Sequence, residues 1–494
     1  MRSVLLSALT AVCATLVFAP VASAVVPLPP ADDLPVNGLQ GEVPKADQQS
    51  GRAALGYRKG LKLIGQNTIL NRGSNFAMAW IDDCAYVTTT SPAQLIGSST
   101  TTGFPVKQPL NGMAVIDAAD ATHPKLISIL QSPAMLDPHE TLHANQARKI
   151  IVATQAGALA TPSQGVPIDV YDAQDCRHPV LKSTFYISPI AAGSVGLGST
   201  FRGHAMCLSN DGMTAYATST IFVVDNAAID LSDLSHPKLI KRFATGAHDC
   251  GVSKDGNRLY LAVFGVGGEA LPNGLEILDT SDVQKRVPDP QFKRIGFMRW
   301  TSISEKEVLE AGSHTVRVFH HGAKTYAFSS DEWPVVAPCP WAHGRIIDIS
   351  DELHPVKVSD LTLDVQKREN CATTQHDLVN YSSHYVGFDD EDQPTTLFTS
   401  NYGSGLRVWD IHDPTQPKEI AYFQPAPIAD TQLRAPLAGF ALGNGAMWDV
   451  VGDYIRYRPE SGQIWIVGAS SGFQILQLTQ SAGPTAPHPT GVGH

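Results

Sequence analysis

Six times along this chain a β-like run ends in an aspartate that is followed, three residues later, by another and then by a proline: Asp117/Asp120, Asp172/Asp175, Asp230/Asp233, Asp279/Asp282, Asp348/Asp351 and Asp410/Asp413. In five copies a proline stands seven residues after the first aspartate, as Pro124, Pro179, Pro237, Pro355 and Pro417; in the fourth copy Pro288 comes nine residues after Asp279. Each first aspartate ends a β-branched or aromatic run such as AVI, DVY, EIL, RII or RVW, the pattern of a strand with at least one buried face. A carboxylate there bonds N–H groups two or three residues on and turns the chain. Proline fixes the exit, and KLISIL, VLKSTF, KLIKRF, VKVSDL and KEIAYF restart as the next strand. The unit is therefore a hairpin. Successive first aspartates lie 55, 58, 49, 69 and 62 residues apart, room for four short strands with generous loops, the size of a propeller blade.

A seventh unit lacks the turn. In residues 462–479, GQIWIVGASSGFQILQLT, Ile464–Gly468 and Phe473–Leu478 match second and third strands, with Gln477 at the place of the first aspartate, and the β pattern then stops. The missing outer strand is expected in Arg58–Gln66, where Lys62-Leu63-Ile64 repeats Lys125-Leu126-Ile127. The expected fold is all-β: a single seven-bladed β-propeller whose ring is closed by an N-terminal strand completing the last blade, leaving no open sheet edge.

The runs MAVID, IDVYD, LEILD and LRVWD resemble the LVIVD-repeat family, and the resemblance extends over residues 57 to 478. It implies a β-propeller exported to the cell surface or medium. It implies no particular catalytic residue.

Residues 1–24 read as a secretory signal peptide, with Arg2, an apolar run from Val4 to Val21 and the small-residue ending Ala22-Ser23-Ala24. A secreted or surface location follows, with 25–56 as a proline-rich extended lead-in, 57–480 as the propeller domain and 481–494 as a disordered tail. No later stretch is apolar over the 18 or more residues of a transmembrane helix. Without the signal, 35 basic residues face 47 acidic ones, a net charge of −12 that disfavours nucleic acid and anionic membrane as partners. Six cysteines remain, Cys84, Cys176, Cys207, Cys250, Cys339 and Cys371, an even number that allows disulfides without choosing among the fifteen connectivities. Cys207 and Cys250, in core strands, fit equally well as buried free thiols.

Histidine makes a second repeat, at His139, His204, His248, His314 and His376, near the start of successive units. In four of these a strand centred twelve residues later lines up, at Ile151, Tyr216, Tyr260 and Tyr326, while Phe76 and Gly445 stand in the histidine's place in blades one and seven. Inner-strand starts gather at one mouth of a propeller's channel, so five imidazoles there can hold a transition metal ion as cofactor. The alternative is that each histidine braces its own blade, which a residue repeated through a scaffold favours. A CxxC metal pair is absent from the sequence.

The paired aspartates allow calcium ligation, but six copies followed by proline favour turn caps. Long insertions at Thr88–Asn111, Gly157–Val166, Phe264–Asn273, Asp331–His343 and Gly387–Pro394 fall mainly between second and third strands, and are expected on the face opposite the loops that enter each blade. Trp333, Trp341 and His343 are candidate ligand-binding residues on that loop face. Two function classes follow. One is an exported binding or interaction module, monomeric, whose loops meet a protein, a glycan, a cell-wall component or a small molecule. The other is a metal-dependent oxidoreductase or lyase centred on the channel mouth. The first is preferred on sequence because no nucleophile, acid or base stands out.

Overall fold

The computed structural model describes residues 28–89, 109–155, 165–188, 201, 203–219, 225–265, 272–300, 312–332, 339–374, 379–432 and 447–480. Seven antiparallel sheets form seven blades. From inner to outer strand, blade 1 is Asn75–Ile81, Cys84–Thr89, Met113–Asp117 and Lys125–Leu130, and blade 2 is His143–Asn145, Ile150–Thr154, Val166–Asp172 and Val180–Ile187. Blade 3 is Ala205–Leu208, Thr214–Thr218, Asn226–Asp230 and Lys238–Phe243; blade 4 is Ala247–Val252, Arg258–Val263, Gly274–Asp279 and Lys293–Arg299. Blade 5 is Gly312–His321, Lys324–Glu332, Gly344–Asp348 and Val356–Leu361, and blade 6 is Val386–Phe388, Thr396–Ser400, Leu406–Asp410 and Lys418–Gln424. Blade 7 joins Arg456–Arg458, Gln463–Gly468 and Gly472–Leu478 to the N-terminal Leu61–Asn67 as its outer strand.

That junction is the one expected: Leu61 pairs with Leu478 and Asn67 with Phe473. Tyr57–Lys59, just before it, adds a fifth strand to blade 6 along Tyr422–Gln424. Upstream, before a short helix at Lys45–Ser50, the buried Val43 joins the core of blades 5 and 6, with the Val43 N–H donating to Tyr381 Oη at 3.0 Å and the Val36 N–H to Tyr422 Oη at 3.1 Å.

Second and third strands are buried on both faces because each blade is sandwiched between two others, so their residues run apolar without alternation. Outer strands are mostly exposed or half-buried. In every blade one outer-strand residue is left unmatched opposite the third strand: Ile127, Lys182, Ile240, Ile295, Val358, Ile420 and Ile64. A bulge at one place in each sheet adds the twist that propeller blades require.

The turns behave as caps. Each first aspartate accepts the N–H two residues on at 2.9–3.0 Å, as Asp117 does from Ala119 and Asp348 from Ser350. The second aspartate repeats the bond in five copies; the fourth differs, Asp282 taking the N–H of Gln291 across its longer turn. The turns also brace neighbouring blades. Ser183 donates to the Leu234 carbonyl and Ser359 to that of Pro414, both at 2.7 Å, and Asn67 to that of Pro124 at 2.8 Å, so an outer strand grips the turn of the blade after it. A Cβ on Gly65 would meet the Ala121 carbonyl oxygen at 2.0 Å, and one on Gly296 that of Glu352 at 1.8 Å, so glycine is required there by closeness.

Three disulfides form: Cys84–Cys176, Cys207–Cys250 and Cys339–Cys371. The first joins blade 1 to the turn of blade 2, and the second joins the inner strands of blades 3 and 4. Cys207 and Cys250 are therefore cross-linked, not free.

One expectation is reversed. In an antiparallel blade the end of the second strand lies beside the start of the inner one, as Ala205 beside Thr218 and Ser313 beside Asp331, and the outer strand ends beside the start of the third, as Phe243 beside Asn226. Connections from second to third strand and connections into the next blade therefore leave from one face, not opposite faces. That face carries the inner-strand starts.

A chain beginning at Asn75 loses the outer strand of blade 7, and the expected outcome is aggregation or loss of a cooperative melt; a melt matching that of the longer chain would refute ring closure by this strand. Asp348→Ala should cost about 1–2 kcal/mol in urea unfolding and Asp348→Asn less, because the amide oxygen still accepts. Calcium should rescue neither.

A candidate metal centre at the channel mouth

Small local distortions aim the inner-strand side chains at the axis. His248 is skipped in the register between Ala247 and Asp249, His314 between Ser313 and Thr315, and Phe76 lies in the skip between Asn75 and Met78. A bulge turns a side chain off the sheet's normal alternation. His204 and His384 stand just before their inner strands, held by backbone N–H bonds to the carbonyls of Thr218 at 2.7 Å and Ser400 at 2.9 Å. His139 has a φ of 48°, a conformation a non-glycine residue seldom adopts.

The result is a closed circle of six rings from blades 1 to 6. Phe76 stacks on His139 at 4.6 Å; His139 meets His204 at 5.0 Å, His204 meets His248 at 4.5 Å, His248 meets His314 at 4.0 Å and His314 meets His384 at 3.9 Å between centroids. Phe76 closes the circle edge-on to His384 at 5.8 Å. Glu140 sits at its centre, fully buried, with five imidazole Nε2 atoms around its carboxylate: His384 at 3.1 Å, His314 at 3.4 Å, His139 and His204 at 3.5 Å and His248 at 3.6 Å. Glu332 lies 3.6 Å from both His314 and His384 and accepts a hydrogen bond from Tyr402 at 2.5 Å.

Donor and acceptor roles are constrained. His384 Nδ1 faces the carbonyl of Gly452, which only accepts, so Nδ1 carries a proton and Nε2 points at Glu140. In a neutral ring that Nε2 is a lone pair facing a carboxylate, an arrangement that a proton or a cation between them resolves. Burial lowers the His384 pKa, but Glu140 and Glu332 outweigh it and raise it above the ordinary histidine value. Burial pulls His139 down to about 4 and His314 to about 3, and lowers His204 and His248. Burial pushes Glu140 up, yet the imidazoles of His314, His139 and His248 hold it well below the usual carboxylate range, while Glu332 is pushed up to about 7 by burial. Among the described residues, His248 Nδ1, His314 Nδ1 and Glu140 Oε2 have no hydrogen-bond partner. Neutral imidazoles with unsatisfied nitrogens beside a buried carboxylate are the donor set of a transition-metal site.

Beneath the circle a second layer continues along the inner strands. Tyr385 touches both His314 and His384, Tyr454 packs on Tyr385 at 4.1 Å, and the Tyr454 hydroxyl lies 3.4 Å from His143 Nε2. Arg317 lies over the Tyr454 ring and pairs with the buried Asp249 at 3.0 Å. Asp453, also buried, accepts the Met78 N–H and is held well above the usual carboxylate range by burial.

Four of the five histidines singled out in the sequence, His139, His204, His248 and His314, thus meet at one point. The fifth, His376, lies outside the described residues, and blade 6 supplies His384 to the circle. The spacing held the signal: twelve residues on from His384 is Thr396, where a second strand starts, whereas twelve on from His376 is Phe388, the end of an inner strand. Glu140 and Glu332 were missed as well, although each adjoins a feature already noted. Trp333, Gly445 and Ala446 lie outside the described residues, and the inner strand of blade 7 comes later, at Arg456–Arg458. Trp341 is fully buried, edge-on to Tyr381 at 5.6 Å, so its ring serves the core of blades 5 and 6. His343 is partly buried, 3.4 Å from Asp360, and is not among the residues that meet at the channel mouth.

Residues 221–245 match the LVIVD repeat. No curated protein sequence matches the chain. Solved structures similar to it include a protein from Lactobacillus plantarum, at 12% identity and a TM-score of 0.47, covering 71% of this chain and 88% of that one. Two others carry the provisional name 6-phosphogluconolactonase. The one from Bacteroides uniformis is 12% identical, with a TM-score of 0.44 and coverage of 68% of this chain and 80% of that one. The one from Bacteroides fragilis is 9% identical, with a TM-score of 0.46 and coverage of 72% and 83%.

If the histidines shared a network, their effects would not add. In chelator-treated protein, a cycle of His204→Ala, His248→Ala and the double variant should give a coupling of about 0.5–3 kcal/mol in urea unfolding, as for residues in contact. Additive losses would restore the account in which each histidine braces its own blade.

Proposed function

We propose that the chain is a metal-dependent enzyme of the oxidoreductase or lyase class, with its chemistry at the channel mouth. The observation that carries this reading is the convergence of five imidazole Nε2 atoms, at 3.1–3.6 Å, on the buried carboxylate of Glu140. Side chains that brace separate blades have no reason to point at one carboxylate. The ligands would be drawn from His139, His204, His248, His314, His384, Glu140 and Glu332, and bound metal would supply Lewis-acid or redox chemistry.

The chain's own groups do the rest. The Gly452 carbonyl fixes the His384 tautomer, and Tyr402 orients Glu332 by donating to it, the outer interactions that position metal ligands. Phe76 covers one side of His139 with an apolar face. His139 and His204 keep 17% and 20% of their side chains exposed, whereas His314 and His384 keep none, so a substrate would approach past the first pair. Four of the five long insertions, all but Gly387–Pro394, join second to third strands and so leave from this same face; they would select what reaches it, which merges the loop-display reading with the enzymatic one. Three disulfides suit an oxidising compartment, in keeping with export. No described helix is long and apolar enough to cross a membrane.

Protein purified through gel filtration should retain at least one zinc, copper, iron, manganese or nickel ion per chain by elemental mass spectrometry. His204→Ala/His314→Ala should abolish it. Metal-free protein that takes up none of these ions on reconstitution would overturn the assignment.

A further inference from the structure

The pocket offers more donors than one ion can use. Five imidazoles and two carboxylates face it, whereas catalytic sites for a single transition metal take three or four protein ligands and keep a position open. The donors also divide. His139, Glu140 and His204 form one group whose ligand atoms all lie within 4.8 Å of one another, and His314, Glu332 and His384 form another. These two groups share no residue, and each is two imidazoles plus one carboxylate, a set that by itself holds a divalent metal with open positions. A third group, Glu140 with His248 and His314, lies between them.

The Glu140 carboxylate reaches both groups. Its Oε2 faces His204 at 3.5 Å and His248 at 3.6 Å, and its Oε1 faces His384 at 3.1 Å, His314 at 3.4 Å and His139 at 3.5 Å. We propose that the channel mouth is a dinuclear centre, with an outer ion on His139 and His204, an inner ion on His314, His384 and Glu332, and Glu140 bridging the two. Carboxylate-bridged pairs of ions about 3.5–4 Å apart are a recurring catalytic arrangement, in which one ion can hold a nucleophile or oxidant while the other holds the substrate oxygen. His248, between the groups, completes either sphere. The two places differ in access: the outer histidines are partly exposed, while His314 and His384 are fully buried and Glu332 is shielded by Tyr402.

This inference rests on the metal-site reading, and the test separates the two. Full-length chain is stripped with a chelator, reloaded with zinc(II), desalted and counted by elemental mass spectrometry, with circular dichroism confirming the fold. Two zinc ions per chain are expected in the parent, one in Glu332→Gln and one in His204→Ala. Chelator should remove zinc from the parent in two phases of one equivalent each, the slower more than tenfold slower, a readout that needs no variant. One zinc per chain released in a single phase would overturn the dinuclear centre while leaving the metal site standing. Two zinc ions retained in both variants, or none in either, would overturn the division of ligands. No zinc in the parent would remove the metal site itself.

Discussion

A ring of sheets has to close, and the pairing of Leu61–Asn67 with Gly472–Leu478 is the contact on which everything else here depends. Until it forms, blade 7 has three strands and an open edge, and the seven inner strands have no fixed circle to share. Once it forms, the inner-strand starts of blades far apart in sequence lie within a few ångströms. His139 and His384 are 245 residues apart and both reach Glu140.

The aspartate turns supply the spacing of that circle. Each caps its own hairpin, and the outer strand of the blade before it grips the turn through Ser183, Ser359 or Asn67, with Gly65 and Gly296 allowing backbone-to-backbone approach. Arg177 adds a charged link back to Asp117 at 2.7 Å. One residue type thus serves two levels of structure, which accounts for its recurrence in all six units. The bulges in outer strands set twist, and those in inner strands turn His248, His314 and Phe76 to the axis.

Burial then gives the cluster its chemistry. A carboxylate enclosed by imidazoles can remain ionised only if positive charge is close, and burial at the same time disfavours charging most of those imidazoles. His384, with its Nδ1 proton committed to the Gly452 carbonyl and both carboxylates in reach, is the ring that takes a proton most readily. A divalent cation meets the same need without protonating any of them, which is why the arrangement suits metal better than a bracing network.

The fold was legible from the sequence because it is written locally and repeatedly: Asp, Asp and Pro at fixed spacings mark each hairpin, and Lys62-Leu63-Ile64 repeats a known outer strand well enough to place ring closure. Four of the five circle histidines were legible for the same reason, and so was Phe76 as the blade 1 counterpart. His384 was displaced by His376 because blade 6 enters through a longer, partly helical connection that breaks the count. Glu140 and Glu332 occur once each at their positions, so no repeat announces them. Trp341 looked like a loop residue and is core, because Tyr381 and the N-terminal lead-in cover it from distant parts of the chain. The choice between bracing and convergence also belonged to the tertiary structure. A repeat fixes where a residue sits along its own strand, whereas the direction its side chain takes and the neighbours it meets depend on register skips and on seven sheets packing around one axis.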